Sequence, residues 1–285
     1  MTNITIFNSV AFVYLLSSVL YFCYFFFRKE SLGKTATAVT GAGFLAQTVG
    51  YVFRWIETSR LGFGHTPLAF FTLYETLVFA AWSMVIVYLI FEYKYRIKAF
   101  GAIILPVVSL VLLYASLSPN VAGGVKELPT VLQGNFFVYH IISCTISYAA
   151  FIISVVASVF LLLMGNPGKV TGVIKKILDR LPHKEILDDM SYKTIAIGFI
   201  LFTIGMVTGI YRTKIIWGSY WSWDPVETSG LITWLLYALI LHGRYQKWWG
   251  MKTSGVLSIS AFTISILCFL IAGSYVLVSG HYQIL

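Results

Sequence analysis

FFVYHIISCTISYAAFIISVVASVFLLLM, residues 136–164, runs without a single aspartate, glutamate, lysine or arginine. A helix needs about 20 apolar residues to cross a hydrocarbon core of ~30 Å, because lipid offers no partner to an unpaired backbone group. The segment therefore reads as a membrane span, and it has company. Comparable stretches occur at 5–27, 36–56, 68–91, 99–117, 194–211, 228–243 and 254–279. The 285 residues are 58% hydrophobic and 11% charged, with a mean hydropathy of +0.83, far too apolar for a soluble domain of this length. The expectation is an all-α polytopic membrane protein of about eight transmembrane helices. The opening stretch lacks a basic n-region and a small-residue cleavage site, so it reads as a span rather than a cleaved signal peptide.

Charge orients the spans. The segments after the first, third, fifth and seventh spans carry Arg28, Lys29, Lys34, Lys94, Arg96, Lys98, Lys169, Lys175, Lys176, Arg180, Lys184, Lys193, Arg244, Lys247 and Lys252. Only Arg54, Arg60, Lys126, Arg212 and Lys214 fall on the other side. The positive-inside rule puts the larger set in the cytoplasm or its organellar equivalent, so both termini are expected outside, in periplasm or lumen. The net charge of +9 is then mostly topogenic, and it argues for contact with the lipid bilayer rather than with nucleic acid. Residues 165–193 form the one substantial cytoplasmic segment, expected as a short amphipathic helix on anionic lipid. Cys23, Cys144 and Cys268 sit singly in apolar stretches with no CxxC, which supports neither a thiol relay nor a zinc site.

Between the sixth and seventh spans, on the outward side, lies WGSYWSWDP, Trp217 to Pro225, with three of the chain's eight tryptophans. Its end spells a helix start: Asp224 as N-cap, Pro225 at the first helical position, and Glu227 where a capping acid reaches back. The tryptophans Trp217, Trp221 and Trp223, with Tyr220, are more crowded than an interfacial belt requires and suit a platform for a flat ligand. His140, near the outward start of the fifth span, and His281, past the end of the eighth, are expected at the same face. Two opposed imidazoles can ligate haem iron while aromatic walls hold the porphyrin. Arg54, Arg60, Arg212 and Lys214 could then meet its carboxylates. Zinc fits less well, since two histidines leave a tetrahedral site short of ligands.

Other residues have plainer readings beside the functional ones. His242 closes the seventh span about 27 Å from Asp224 at 1.5 Å per residue, too far to share one iron with the outward pair. It is either a second, inner site or a snorkelling interfacial residue next to Arg244. His183 sits among charges and His65 in a turn. Glu75 lies inside the third span, where a carboxylate needs a cation such as Arg54 or Arg212. Gly205-Met-Val-Thr-Gly209 reads as a close helix contact rather than a nucleotide loop.

WGSYWSWDPVETSGLITWLLYALILHGR, Trp217 to Arg244, resembles the tryptophan-rich "WWD" signature of the haem-handling proteins of cytochrome c biogenesis. With eight spans and outward histidines the chain looks like the CcsA (ResC) family of the two-subunit system II synthetase. Gly64-His65-Thr66-Pro67 and Tyr74-Glu75-Thr76 add weaker support, and the first 60 residues carry nothing diagnostic. Val226 stands where many members have lysine, and His281 is followed by Tyr282 rather than serine. The resemblance implies N-terminal helices over 1–60 and a haem-handling domain over 61–285 with a WWD loop at 212–228. It implies His140 and His281 as axial haem ligands, His242 as ligand of a possible second haem site, and Trp217, Trp221, Trp223 and Asp224 as the presenting loop. It further implies haem b as substrate, a CcsB (ResB) partner, and a CxxCH apocytochrome whose cysteines form thioethers with the vinyl groups. The implied membrane is a bacterial inner membrane, with the thylakoid as alternative. The competing reading is a CcmC-like chaperone or exporter that binds haem and hands it over without attaching it.

Overall fold

The computed structural model describes residues 2–27, 29–60, 73–118, 135–165 and 172–279. All regular structure among them is α-helical: α1 (Thr2–Phe27), α2 (Glu30–Arg60), α3 (Leu73–Tyr95), α4 (Ala99–Leu117), α5 (Asn135–Met164), α6 (Gly172–Leu178), α7 (Lys184–Trp217), α8 (Pro225–Tyr245) and α9 (Met251–Ser279). Seven of the long helices are apolar enough to cross a membrane; with the composition, this makes the chain an integral, polytopic, all-α membrane protein.

The eighth long helix, α2, is the exception and explains itself. Its buried residues are Gly33, Ala36, Thr40, Gly43, Gln47, Gly50, Arg54 and Thr58, spaced three or four apart along one stripe. That stripe is made of small and polar groups, which depresses the hydropathy while serving helix association. In lipid, apolar faces gain little by meeting one another, so close backbone approach and interhelical hydrogen bonds take over. At Gly43 an added Cβ would stand 2.8 Å from the Tyr14 ring, and at Gly50 2.7 Å from Phe7. Gln47 accepts from the Tyr14 hydroxyl at 2.8 Å and donates to the Val78 carbonyl at 3.0 Å.

The chain divides into two compact units. One contains α1 to α4 and α6. Within it Arg54 Nη2 meets Glu75 Oε1 at 2.6 Å, with both residues almost wholly buried (3% and 4% exposed). Of the cations expected to pair with Glu75, Arg54 is thus the one that does. Glu92 receives hydroxyl donors from Tyr21, Tyr88 and Thr37. Short α6 falls inside the segment expected to lie on lipid; residues 184–193 of that segment instead continue without a break into α7.

The second unit contains α5, α7, α8 and α9. Its core joins Phe151, Ile195, Phe202, Tyr237, Ile240 and Ala261, with Phe151 and Tyr237 stacked at 3.6 Å and 9°. A buried hydroxyl chain, Ser258 to Ser154 at 2.6 Å, Ser154 to Ser191 at 2.9 Å and Ser191 to Ser158 at 3.0 Å, ties α9, α5 and α7 together. The closest seam is α5 against α7, where Gly198, Gly205 and Gly209 face Phe151, Cys144 and His140. The Gly205–Gly209 pair is therefore a helix contact. Arg244 of α8 forms a two-pronged ion pair with Asp188 of α7 at the opposite end from the tryptophan loop.

Candidate functional site: a cavity under the tryptophan loop

The loop between α7 and α8 is short because both ends are capped. Gly218 takes φ +76°, a left-handed conformation open to glycine, and its N–H returns to the Lys214 carbonyl at 3.0 Å. At the other end the Asp224 carboxylate accepts from the Glu227 N–H at 2.8 Å, with Pro225 opening α8. Glu227 does reach back, to Ser222 ahead of the cap residue: its Oε2 accepts from the Ser222 N–H at 2.7 Å and from the Ser222 hydroxyl at 3.1 Å. The irregular stretch is thereby confined to 218–224.

These caps decide where the three tryptophans go. Trp223 adopts φ +60°, rare for a bulky residue, and is 70% exposed. Trp217, the last residue of α7, is 39% exposed. Trp221 turns inward and packs edge-on to Trp223 at 5.5 Å between centroids. It forms part of the wall of a cavity of about 190 Å³ that opens to the surface.

The cavity lies inside the second unit. α5 contributes His140, Cys144 and Tyr148; α7 contributes Phe202, Met206, Gly209 and Arg212 among others; the loop and α8 contribute Trp221, Asp224, Glu227 and Gly230; α9 contributes Phe269. His140 and the tryptophan loop, separated by some 80 residues of chain, thus share one space. Trp217 and Trp223 are not among the lining residues.

The imidazole is held by its back. His140 Nδ1 lies 2.8 Å from the Gly205 carbonyl, and since a carbonyl only accepts, Nδ1 carries the proton. The neutral ring then has its lone pair on Nε2, the arrangement of a metal-ligating histidine whose tautomer is set by a backbone carbonyl. Gly209 makes this possible: a Cβ there would stand 2.8 Å from Nδ1. Of the cations named from sequence, Arg212 lines the cavity and also covers the Phe137 ring at 4.2 Å. Arg54 is engaged with Glu75 in the other unit, and Lys214 donates to the Gly218 carbonyl at 2.5 Å. Trp221 Nε1 and Glu227 Oε1, both in the wall, are buried and make no hydrogen bond among the described residues.

The remaining histidines separate. His242 is near the far end of α8, edge-on to Trp248 at 5.1 Å and removed from the cavity. His183 occupies the position before α7, with no side-chain cap bond. His281 and His65 lie outside the described residues. Sequence reasoning missed Glu227 as a wall residue, because its capping geometry already explains its presence.

Tyr148, Phe202, Trp221 and Phe269 thus line one cavity with the His140 imidazole and the Arg212 guanidinium, residue types that could take a flat, metal-bearing, carboxylated ligand. Comparison with known proteins gives the family. The family described as cytochrome C assembly protein matches residues 70–278, and the chain belongs to that family. Its curated relatives include the cytochrome c biogenesis protein CcsA of Prochlorococcus marinus, 30% identical over 244 residues covering 78% of this chain and 75% of the relative. CcsA of Porphyra purpurea is 31% identical, over 70% of this chain and 72% of its own length. Among solved structures, cytochrome c heme lyase CcmF shares the fold, with a TM-score of 0.64 at 16% identity. That match covers 98% of this chain, which spans half the length of the CcmF chain.

Proposed function

We propose that this chain serves cytochrome c maturation as the haem-binding subunit of a cytochrome c synthetase. In this reading haem b occupies the cavity as substrate, with its iron on His140 Nε2 and a carboxylate toward Arg212. His281 would supply the opposite axial ligand. Trp221 would stand against the porphyrin, while Trp217 and Trp223 form the outer lip of the loop. Asp224 acts through its cap, holding the loop in place. His242 would belong to a separate, inner haem site. The chain would work with a CcsB/ResB-like membrane subunit and take CxxCH apocytochromes at an outward face of a bacterial inner or thylakoid membrane.

The observation that carries the reading is the convergence of His140, with Nδ1 tied back to Gly205, and Trp221 on one cavity in a cytochrome c assembly family member. Haem supplies the reactive vinyls and the apocytochrome the thiols. The chain itself has to bind, orient and shield.

The test is reconstitution with a CcsB/ResB-type partner, reduced haem b and a CxxCH substrate. Covalent haem surviving denaturing electrophoresis is the expected result. Haem bound to the chain with none transferred would instead favour the CcmC-like chaperone reading. No haem binding at all, with His140→Ala spectrally identical to wild type, would remove both.

A further inference from the structure

Glu227 does more than cap a helix needs. One carboxylate oxygen suffices to hold the loop, and Oε2 does that alone, taking both the N–H and the hydroxyl of Ser222. Oε1 is buried at the cavity wall without a donor among the described residues. So is Trp221 Nε1, a donor without an acceptor, in the same wall. Burying a polar atom unpaired is unfavourable, and buried polar atoms in folded proteins are nearly always satisfied. An acceptor and a donor in one wall can be satisfied together by one group that both gives and takes a hydrogen bond.

We propose that Glu227 Oε1 and Trp221 Nε1 form a thiol-activating pair, with Glu227 as the base that takes the proton of the incoming cysteine. This rests on the synthetase reading above. A thiol donates through S–H and accepts weakly at sulfur, so it matches the pair, and as a thiol rather than a thiolate it is a poor nucleophile. The step balances without any oxidant or reductant. The S–H proton passes to the Glu227 carboxylate, and the sulfur pair closes a C–S bond on one vinyl carbon. The π pair takes up a proton at the other vinyl carbon, returned from the Glu227 carboxylic acid. The sum is addition of S–H across C=C, and Glu227 ends ionised as it began. Trp221 Nε1–H steadies the developing charge on sulfur.

Other ionisable groups share this wall: Asp224 on the loop, Arg212 on α7, and His140, Cys144 and Tyr148 on α5. The test therefore compares variant and wild type across one pH range, so that their titration is common to both. Glu227→Gln is nearly isosteric and can still accept from Ser222. In the complex with partner, reduced haem b and a CxxCH peptide, it should hold haem with an unchanged visible spectrum. It should attach that haem roughly 10²- to 10⁴-fold more slowly near neutral pH, the usual span of general-base catalysis. The deficit should close as pH rises toward the thiol's own pKa of about 8.5, where the base is no longer needed. Glu227→Asp should fall between the two. Wild-type attachment rates in Glu227→Gln, or a deficit equal at every pH, would overturn the proposal. Loss of bound haem would also overturn it, showing a binding or structural role. Absence of covalent haem with the wild-type chain would instead strike the synthetase reading beneath it.

Discussion

Gly209 stands so close to His140 that a single methyl group would collide with the ring: a Cβ built there is 2.8 Å from Nδ1 and 3.0 Å from Cε1. The ring is packed there with Nδ1 on the Gly205 carbonyl one turn below. Gly209→Ala should therefore push the imidazole off that carbonyl without touching the ligand itself. Loss of such an outer hydrogen bond typically costs about 10- to 100-fold in metal affinity. Haem titration followed by absorbance should show a loss of that order for Gly209→Ala, and free imidazole should restore the spectrum in His140→Ala. Unchanged affinity in both variants would mean that His140 is not an iron ligand.

The same seam predicts a coupling one turn deeper. A Cβ on Gly205 would lie 2.4 Å from Cys144 Sγ but 3.3 Å from the Cys144 backbone nitrogen, so most of the clash is with a removable atom. Gly205→Ala should destabilise the protein by about 1–3 kcal/mol, the usual penalty of overpacking. Cys144→Ala should recover much of it, with a coupling of about 0.5–3 kcal/mol between the two sites. Thermal unfolding in detergent of the four members of the cycle measures this. Strict additivity would show that α5 and α7 are less tightly apposed here.

Much of this architecture was legible because the bilayer imposes coarse rules. Length and hydropathy located the long helices. The Asp224–Pro225 start was readable from cap chemistry, and Glu75 demanded a cation that proved to be Arg54. Helix α2 shows where the rules thin out: its polar stripe makes sense only once Tyr14, Phe7 and Val78 are opposite it. The site was readable as residue types but not as geometry. Which tryptophan turns inward depends on the backbone at Gly218 and Trp223, and no pattern in WGSYWSWDP distinguishes Trp221 from its neighbours. The second oxygen of Glu227 was hidden behind the cap that explained the first.

The Arg54–Glu75 pair makes a prediction about unit integrity. With both partners buried, the pair's net worth against an apolar substitute is small, but breaking it removes the ion-pair partner of a buried charge. Glu75→Ala or Arg54→Ala should each cost about 3–5 kcal/mol, whereas Arg54→Met with Glu75→Leu together should cost far less. Melting temperature and expression level of the three variants test this. Single variants as stable as wild type would show that the charges are solvated rather than sealed in the helix packing.

Orientation can be tested at the two ends of one helix. α8 runs from Pro225 to Tyr245, 21 residues, which at 1.5 Å per residue is about 32 Å, one hydrocarbon thickness. Tyr220 in the loop before it and Tyr245 at its end are 57% and 76% exposed, so cysteines at either position should be reachable from water. The charge asymmetry predicts Arg244, Lys247 and Lys252 inside and the tryptophan loop outside. With Cys23, Cys144 and Cys268 replaced, a membrane-impermeant maleimide added to intact cells should label Tyr220→Cys and leave Tyr245→Cys unmodified until the membrane is permeabilised. The opposite pattern would put the His140 cavity on the cytoplasmic side, where no outward apocytochrome could reach it. Labelling of both from outside would mean that α8 does not cross the membrane at all.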